Sequence, residues 1–243
     1  MSKIFAVGDI HGHFDQMERA LDLIWSDGGH EAQIVFVGDY IDRGPDSRLV
    51  LDFLIEAKKN DRPWTMLLGN HDDYLRLFLE DGNVFGSLSR ANVPWFDPIL
   101  GGAETMESYG VETSGRLHED ILKDARKAVP QEHLDFISLL PRYHATPEHI
   151  FVHAGIRPGV PLQDQDPVDL IWIRQEFLDD PRDHGKLIVH GHTAVDFPEN
   201  AGNRVNLDGG TGFGRPLYPG VFEDGRVWIL TETGRQELEV KKR

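Results

Sequence analysis

Ile34-Val-Phe-Val-Gly-Asp-Tyr-Ile-Asp-Arg-Gly44 is the stretch from which the rest of the chain can be read. Its first four residues, Ile34 to Val37, have the length and apolar character of a buried strand. Gly38 then lets the backbone turn tightly. Two carboxylates, Asp39 and Asp42, and one guanidinium, Arg43, follow at once. Opposite charges packed this closely on a strand-to-loop turn mark a site. The same grammar recurs at Gly8-Asp-Ile-His-Gly12, Gly69-Asn-His-Asp72, His153-Ala-Gly155 and His190-Gly-His-Thr193. Each of these follows an apolar strand candidate. All are therefore expected at the carboxyl ends of strands, where open α/β sheets build their sites.

Outward from this stretch, the front of the chain alternates strands and helices. Strands are predicted at 3–7, 33–37 and 64–68, and helices at 14–25, from Asp46 or Ser47 as cap to Ala57, and at 72–79. This is an α/β pattern with crossover connections. Residues 82–115 are loop-rich, with Phe85, Trp95 and Phe96 reading as exposed. Helices are expected at 118–129 and 131–140, the second with Pro130 at its start. Strands resume at 142–145, 149–152 and 187–189, with a helix at 169–178. Short β runs follow at 204–207, 217–222 and 227–230, with Asp224-Gly225 as a hairpin turn. One domain over 1–243 is expected, carrying a helical and loop cap insertion at about 82–140. Lys241-Lys-Arg243 is expected to fray.

Composition bounds the chemistry. The 243 residues carry a net charge of −16, contain no cysteine and are 40% hydrophobic. Thiolate metal sites and disulfides are excluded. Such a charge opposes nucleic acid and acidic membranes, and any phosphate site must carry its own positive groups. No apolar run nears the roughly 18 residues needed to span a membrane. The opening segment is too short in apolar length for a signal peptide, so a cytoplasmic monomer is expected.

Carboxylate and imidazole together suit a divalent transition metal such as Mn, Fe or Zn. Asp39 has two oxygens and can bridge two ions. The donors therefore fall into two sets, Asp9, His11 and Asp39 for one ion and Asp39, Asn70, His153 and His192 for the other.

These motifs resemble those of the phosphoprotein phosphatase family of calcineurin-like metallophosphoesterases, over residues 8–193. The resemblance implies a four-layer α/β/β/α sandwich with two divalent metal ions, manganese foremost. A hydroxide between the ions would attack phosphorus in line. It also implies that His71 is the proton donor and Asp42 its partner, and that Arg43, Arg174 and Asn70 hold the phosphate. A serine/threonine protein phosphatase is the leading expectation, with a phosphorylated protein or small phosphorylated molecule as substrate. A symmetrical dinucleoside tetraphosphate hydrolase is the alternative. Leu68, where many of the protein phosphatases have Arg, and Asp72, where they have Glu, favour the alternative. Asp42 favours the protein phosphatase. His190 is expected to be structural, and Asp208 is at most a supporting carboxylate near His192.

Overall fold

The computed structural model describes residues 3–87 and 93–241. In chain order, β1 (Ile4–Val7), α1 (Phe14–Gly28), β2 (Ile34–Phe36), α2 (Ser47–Lys59), β3 (Trp64–Met66) and α3 (Asn70–Asp81) alternate. Three helices follow: α4 (Gly102–Ser108), α5 (His118–Ala128) and α6 (Gln131–Ser138). Next come β4 (Tyr143–Ala145), β5 (His149–Val152), α7 (Asp169–Trp172), α8 (Gln175–Leu178) and β6 (Leu187–His190). The last strands are β7 (Glu199–Asn200), β8 (Arg204–Asn206), β9 (Gly220–Glu223), β10 (Arg226–Thr231) and β11 (Gly234–Glu237).

Two sheets result, ordered β11-β10-β9-β1-β2-β3 and β4-β5-β6-β8-β7. β1, β2 and β3 run parallel, as do β5, β6 and β8, so six carboxyl ends are available to build on. The period-2 alternation of side chains decides the layers. Phe5 and Val7 of β1 face helices α1–α3, whereas Ile4 and Ala6 face the other sheet. In the second sheet Phe151 and Val189 meet that inner layer, and Ile150, Val152 and Ile188 pack on Leu170, Ile173 and Phe177. Helix, sheet, sheet, helix is the expected four-layer order. No helix among the described residues is long and apolar enough to cross a membrane.

Residues 82–140 share the core of the first helical layer, through Trp95, Met106, Ile121, Ala125 and Phe136. Trp95 is fully buried rather than exposed, because it stacks on Tyr74 and packs against Phe78. This segment is also tied to α2 by a buried relay: Tyr109 Oη lies 2.7 Å from His133 Nδ1, and His133 Nε2 lies 2.9 Å from Asp52.

Three further expectations are corrected. The helix predicted at 169–178 is two short pieces, because the backbone breaks at Arg174 (φ −130°, ψ −102°). Helix α2 has no side-chain cap, since the Ser47 hydroxyl accepts from the Asp42 N–H instead. Lys241 is not frayed: its N–H bonds Asn200 O at 2.8 Å and its ammonium pairs with Glu199. Lys242 and Arg243 lie outside the described residues. The Asp224-Gly225 turn forms as expected, with both residues at positive φ.

Candidate metal centre

All five motifs lie at carboxyl strand ends, following β1, β2, β3, β5 and β6. The chain pays for their placement in backbone strain. Of the seven described non-glycine residues with positive φ, five are predicted site residues: His11 (49°), Asp39 (57°), Asp42 (75°), Arg43 (68°) and His192 (66°). Such conformations cost about 1–3 kcal/mol each and persist only where the surroundings fix them. Two glycines permit the convergence. A Cβ on Gly69 would lie 2.2 Å from the N and Oδ1 of Asp39, and one on Gly191 would lie 1.9 Å from Asp9 Oδ1.

Asp39 sits at the middle. Its Oδ1 accepts the His71 N–H at 2.9 Å and stands 3.4 Å from His153 Nε2, while its Oδ2 stands 3.7 Å from His11 Nε2. One carboxylate thus faces two sides. Asn70 Oδ1 lies 2.9 Å from His153 Nε2 and 2.7 Å from His192 Nδ1. Backbone carbonyls fix the rings: His11 Nδ1 donates to Ile41 O (3.0 Å) and His153 Nδ1 to Val37 O (2.9 Å). The Nε2 atoms of both are thereby turned inward.

His192 Nε2 is buried with no partner. A divalent cation is what such a donor set balances. His11, Asp39 and His71 bring ligand atoms within 4.8 Å of one another, as do Asp39, His153 and His192. The residues therefore fit a centre with Asp39 between its halves. Asp9 stands slightly apart, its carboxylate accepting the His192 N–H at 3.0 and 3.2 Å, and His71 takes its place in the first group. Arg43 Nη1 lies 2.6 Å from His11 Nε2, so it must swing aside for that nitrogen to ligate.

Charge around the centre follows burial. Burial, Asp208 and Asp39 raise the Asp9 carboxyl well above its ordinary range. Burial also acts to raise Asp39, but His153, His71 and His11 outweigh it and hold Asp39 well below. Burial lowers His11 and His192, which keeps both neutral and ready to ligate. Asp72 accepts three backbone N–H bonds, from Asp39, Tyr40 and Gly69, each at 2.9 Å. Burial and Asp39 nevertheless push it up to about 7. Its role is to lock the β2 turn onto the start of α3.

His71 Nδ1 lies 2.6 Å from Asp42 Oδ2. Asp42 is further held by Trp95 Nε1–H (2.8 Å) and Thr105 Oγ1–H (2.6 Å). Neither Trp95 nor Thr105 was legible as part of the site, because both reach it from the distant cap segment. Arg174 Nη1 lies 3.4 Å from Thr193 Oγ1 and shares a cavity of about 430 Å³ with Arg43, His192, Asp208, Phe213 and Arg215. Asp208 is buried beside Asp9 and Asp39, and its signal was present: it follows β8 as the other motifs follow their strands. His190 is structural as expected, packed on Phe177 with its Nδ1 at Gly191 O.

Fold and centre together define a metallophosphoesterase. The chain belongs to the calcineurin-like phosphoesterase family, whose model matches residues 2–207. Bis(5'-nucleosyl)-tetraphosphatase PrpE (asymmetrical) of Oceanobacillus iheyensis is 25% identical to it, over 88% of this chain and 86% of its own. A solved chain described by assignment as a diadenosine tetraphosphatase aligns at a TM-score of 0.66 and 20% identity, covering 94% of this chain and 93% of its own. The cold-active protein-tyrosine phosphatase of a psychrophilic Shewanella aligns at 0.65 and 16%, covering 98% and 81%. At those identities the structural likenesses speak to the fold alone.

Proposed function

We infer that this chain is a divalent-metal-dependent hydrolase of dinucleoside tetraphosphates that cuts off-centre. The observation that carries the reading is the cavity beside the centre. Three arginines, Arg43, Arg174 and Arg215, line it against two carboxylates, Asp196 and Asp208, in a chain of net charge −16. That local positive field suits a polyphosphate better than one phosphate on a protein side chain. The activity named for the Oceanobacillus relative supports the same substrate class. It favours the alternative expectation over the protein phosphatase, and changes that alternative from symmetrical to asymmetrical cleavage. Leu68 agrees, since it is buried in the apolar core and offers no charge to a phosphate.

In this reading Asp9, His11 and Asp39 would hold one ion, and Asp39, Asn70, His153 and His192 the other, with manganese, iron or zinc suited to the donors. When bound, the ions would neutralise phosphate charge and acidify water. Arg43, Arg174 and Asn70 position the phosphoryl group and offset its growing charge. Asp42 holds the His71 ring at Nδ1, which leaves Nε2 to carry a proton toward the phosphate. His71 then gives that proton to the departing oxygen.

Product analysis tests the reading. Manganese-loaded protein given diadenosine tetraphosphate should yield ATP and AMP in equal amounts. Two molecules of ADP would show central cleavage. No cleavage, alongside rapid dephosphorylation of a phosphothreonine peptide, would return the protein phosphatase to first place.

A further inference from the structure

The Gly-rich stretch Gly209–Gly214 lies beyond the matched residues 2–207, and the proposed mechanism does not use it. It folds as a short turn, Thr211–Phe213, bracketed by Gly210 (φ 86°) and Gly214 (φ 80°) in the left-handed region. The turn is pressed onto the centre. A Cβ on Gly212 would lie 2.6 Å from His11 Cδ2 and 2.9 Å from Arg43 Cδ. The next side chain, Phe213, is 58% exposed at the rim of the arginine-lined cavity. The Arg43 guanidinium lies over its ring, 4.8 Å from the centroid. Arg215 lines the same cavity, and its ion partner Asp196 has a side chain 95% exposed, so that pair holds the guanidinium only weakly.

We propose that Phe213 is a stacking platform for a nucleobase of the substrate, with Arg215 gripping a phosphate distal to the one cleaved. The proposal rests on the reading of the site as a nucleotide polyphosphate hydrolase. An aromatic ring this exposed loses hydration on a planar base, and every base offers a π face. The cavity, about 430 Å³, lies within the range of small-ligand sites. Its three arginines stand among His192, Thr193, Asp196 and Asp208, and its exposed aromatic is Phe213, which suits a ligand with a phosphate chain at one end and a flat ring at the other.

The experiment measures what the base contributes. ATP and inorganic triphosphate are compared as inhibitors of aryl phosphate hydrolysis by the manganese-loaded full chain. Wild type should bind ATP roughly five- to hundredfold tighter, the range expected of one base–aromatic stack. Phe213→Ala should erase that difference, and Phe213→Trp should restore it. Arg215→Ala should weaken both inhibitors together. Equal inhibition of wild type by ATP and triphosphate would overturn the platform. So would a parallel loss for both inhibitors in Phe213→Ala, which would make the ring a prop for Arg43. Failure of the substrate reading looks different: no cleavage of diadenosine tetraphosphate, with the Phe213-dependent preference for ATP intact.

Discussion

Asp42 on one hand, and Asp9 with Asp208 on the other, are buried carboxylates solvated in opposite ways. Asp42 is fully buried, and its oxygens meet three donors from His71, Trp95 and Thr105. Asp9 and Asp208 are also buried, but the donors on their carboxylates are single backbone N–H groups, those of His192 and Gly210. Burial raises both, and each lies close to further negative charge. The protein completes the first group from its own side chains. It gives the second few hydrogen-bond donors, which leaves carboxylate oxygens open to a cation. In the proposed function, one side is a finished proton-delivery device, and the other is finished only by its ions.

The hardest blow to this contrast is Asp39→Ala, which removes the carboxylate shared by both halves. Activity on any phosphate substrate should fall on the order of 10³-fold or more, since metal charge stabilisation is worth several kcal/mol. Metal-to-protein ratios measured after gel filtration should drop with it. A variant retaining wild-type turnover and metal content would remove Asp39 from the centre. Chelation makes the same point for the chain as a whole. Manganese at a hundred times its Kd should stabilise by about 2.7 kcal/mol, roughly 5–11 °C in Tm for a chain of this size. A thermal shift experiment with and without EDTA reads it directly.

The finished side should respond by substrate rather than by metal. His71→Asn and Asp42→Asn should cost about 10² to 10⁴-fold on an alkyl phosphate, whose alkoxide needs a proton to depart. On diadenosine tetraphosphate the departing group is a phosphate, a weak base, and the loss should be at least tenfold smaller. Metal content should be preserved in Asp42→Asn. Equal losses on both substrates would contradict proton delivery by this pair.

The two groups also differ in how far they could be read from sequence. Asp39, Asp42 and His71 stand in short motifs after apolar runs, so their strand-end placement was legible, while the roles expected of Asp42 and His71 rest on the family resemblance. The layers were expected only from the family resemblance, because β1 and β5 are buried on both faces and show no polar alternation. What was not legible came from long-range packing. Trp95 looked like a loop aromatic because nothing nearby in sequence shows that Tyr74 and Phe78 form its socket. Thr105 gives no local signal at all, since its partner Asp42 is 63 residues away. The break at Arg174 was hidden because Asp169–Leu178 has helical spacing, and tertiary contacts override it. His133 likewise gives no local signal, since its partner Asp52 is 81 residues away, on α2.

A subtler cut at the finished side is Thr105→Val, which keeps shape and removes the hydroxyl. Asp42 then loses its donor at Oδ1 and one acceptor for its N–H. Stability should fall by about 1.5–3 kcal/mol, the worth of a hydrogen bond to a charged group, whether or not manganese is present. Denaturant titration with and without metal checks both arms.

The smallest expected effect is on the unfinished side, and it has the opposite sign. Asp208→Asn replaces a buried carboxylate, crowded by Asp9 and Asp39, with a neutral amide of the same shape. Without metal the protein should lose nothing and gain up to about 1 kcal/mol, because a like-charge contact is relieved. With metal it should gain less than wild type, since a carboxylate beside a metal site commonly contributes 10- to 100-fold in affinity. The metal-free Tm therefore rises by a few degrees at most, while the manganese-induced shift shrinks. If Asp208→Asn instead lowered stability equally with and without manganese, as Thr105→Val should, the two sides would be alike. The carboxylates around Asp9 would then be structural, like Asp42, rather than reserved for cations.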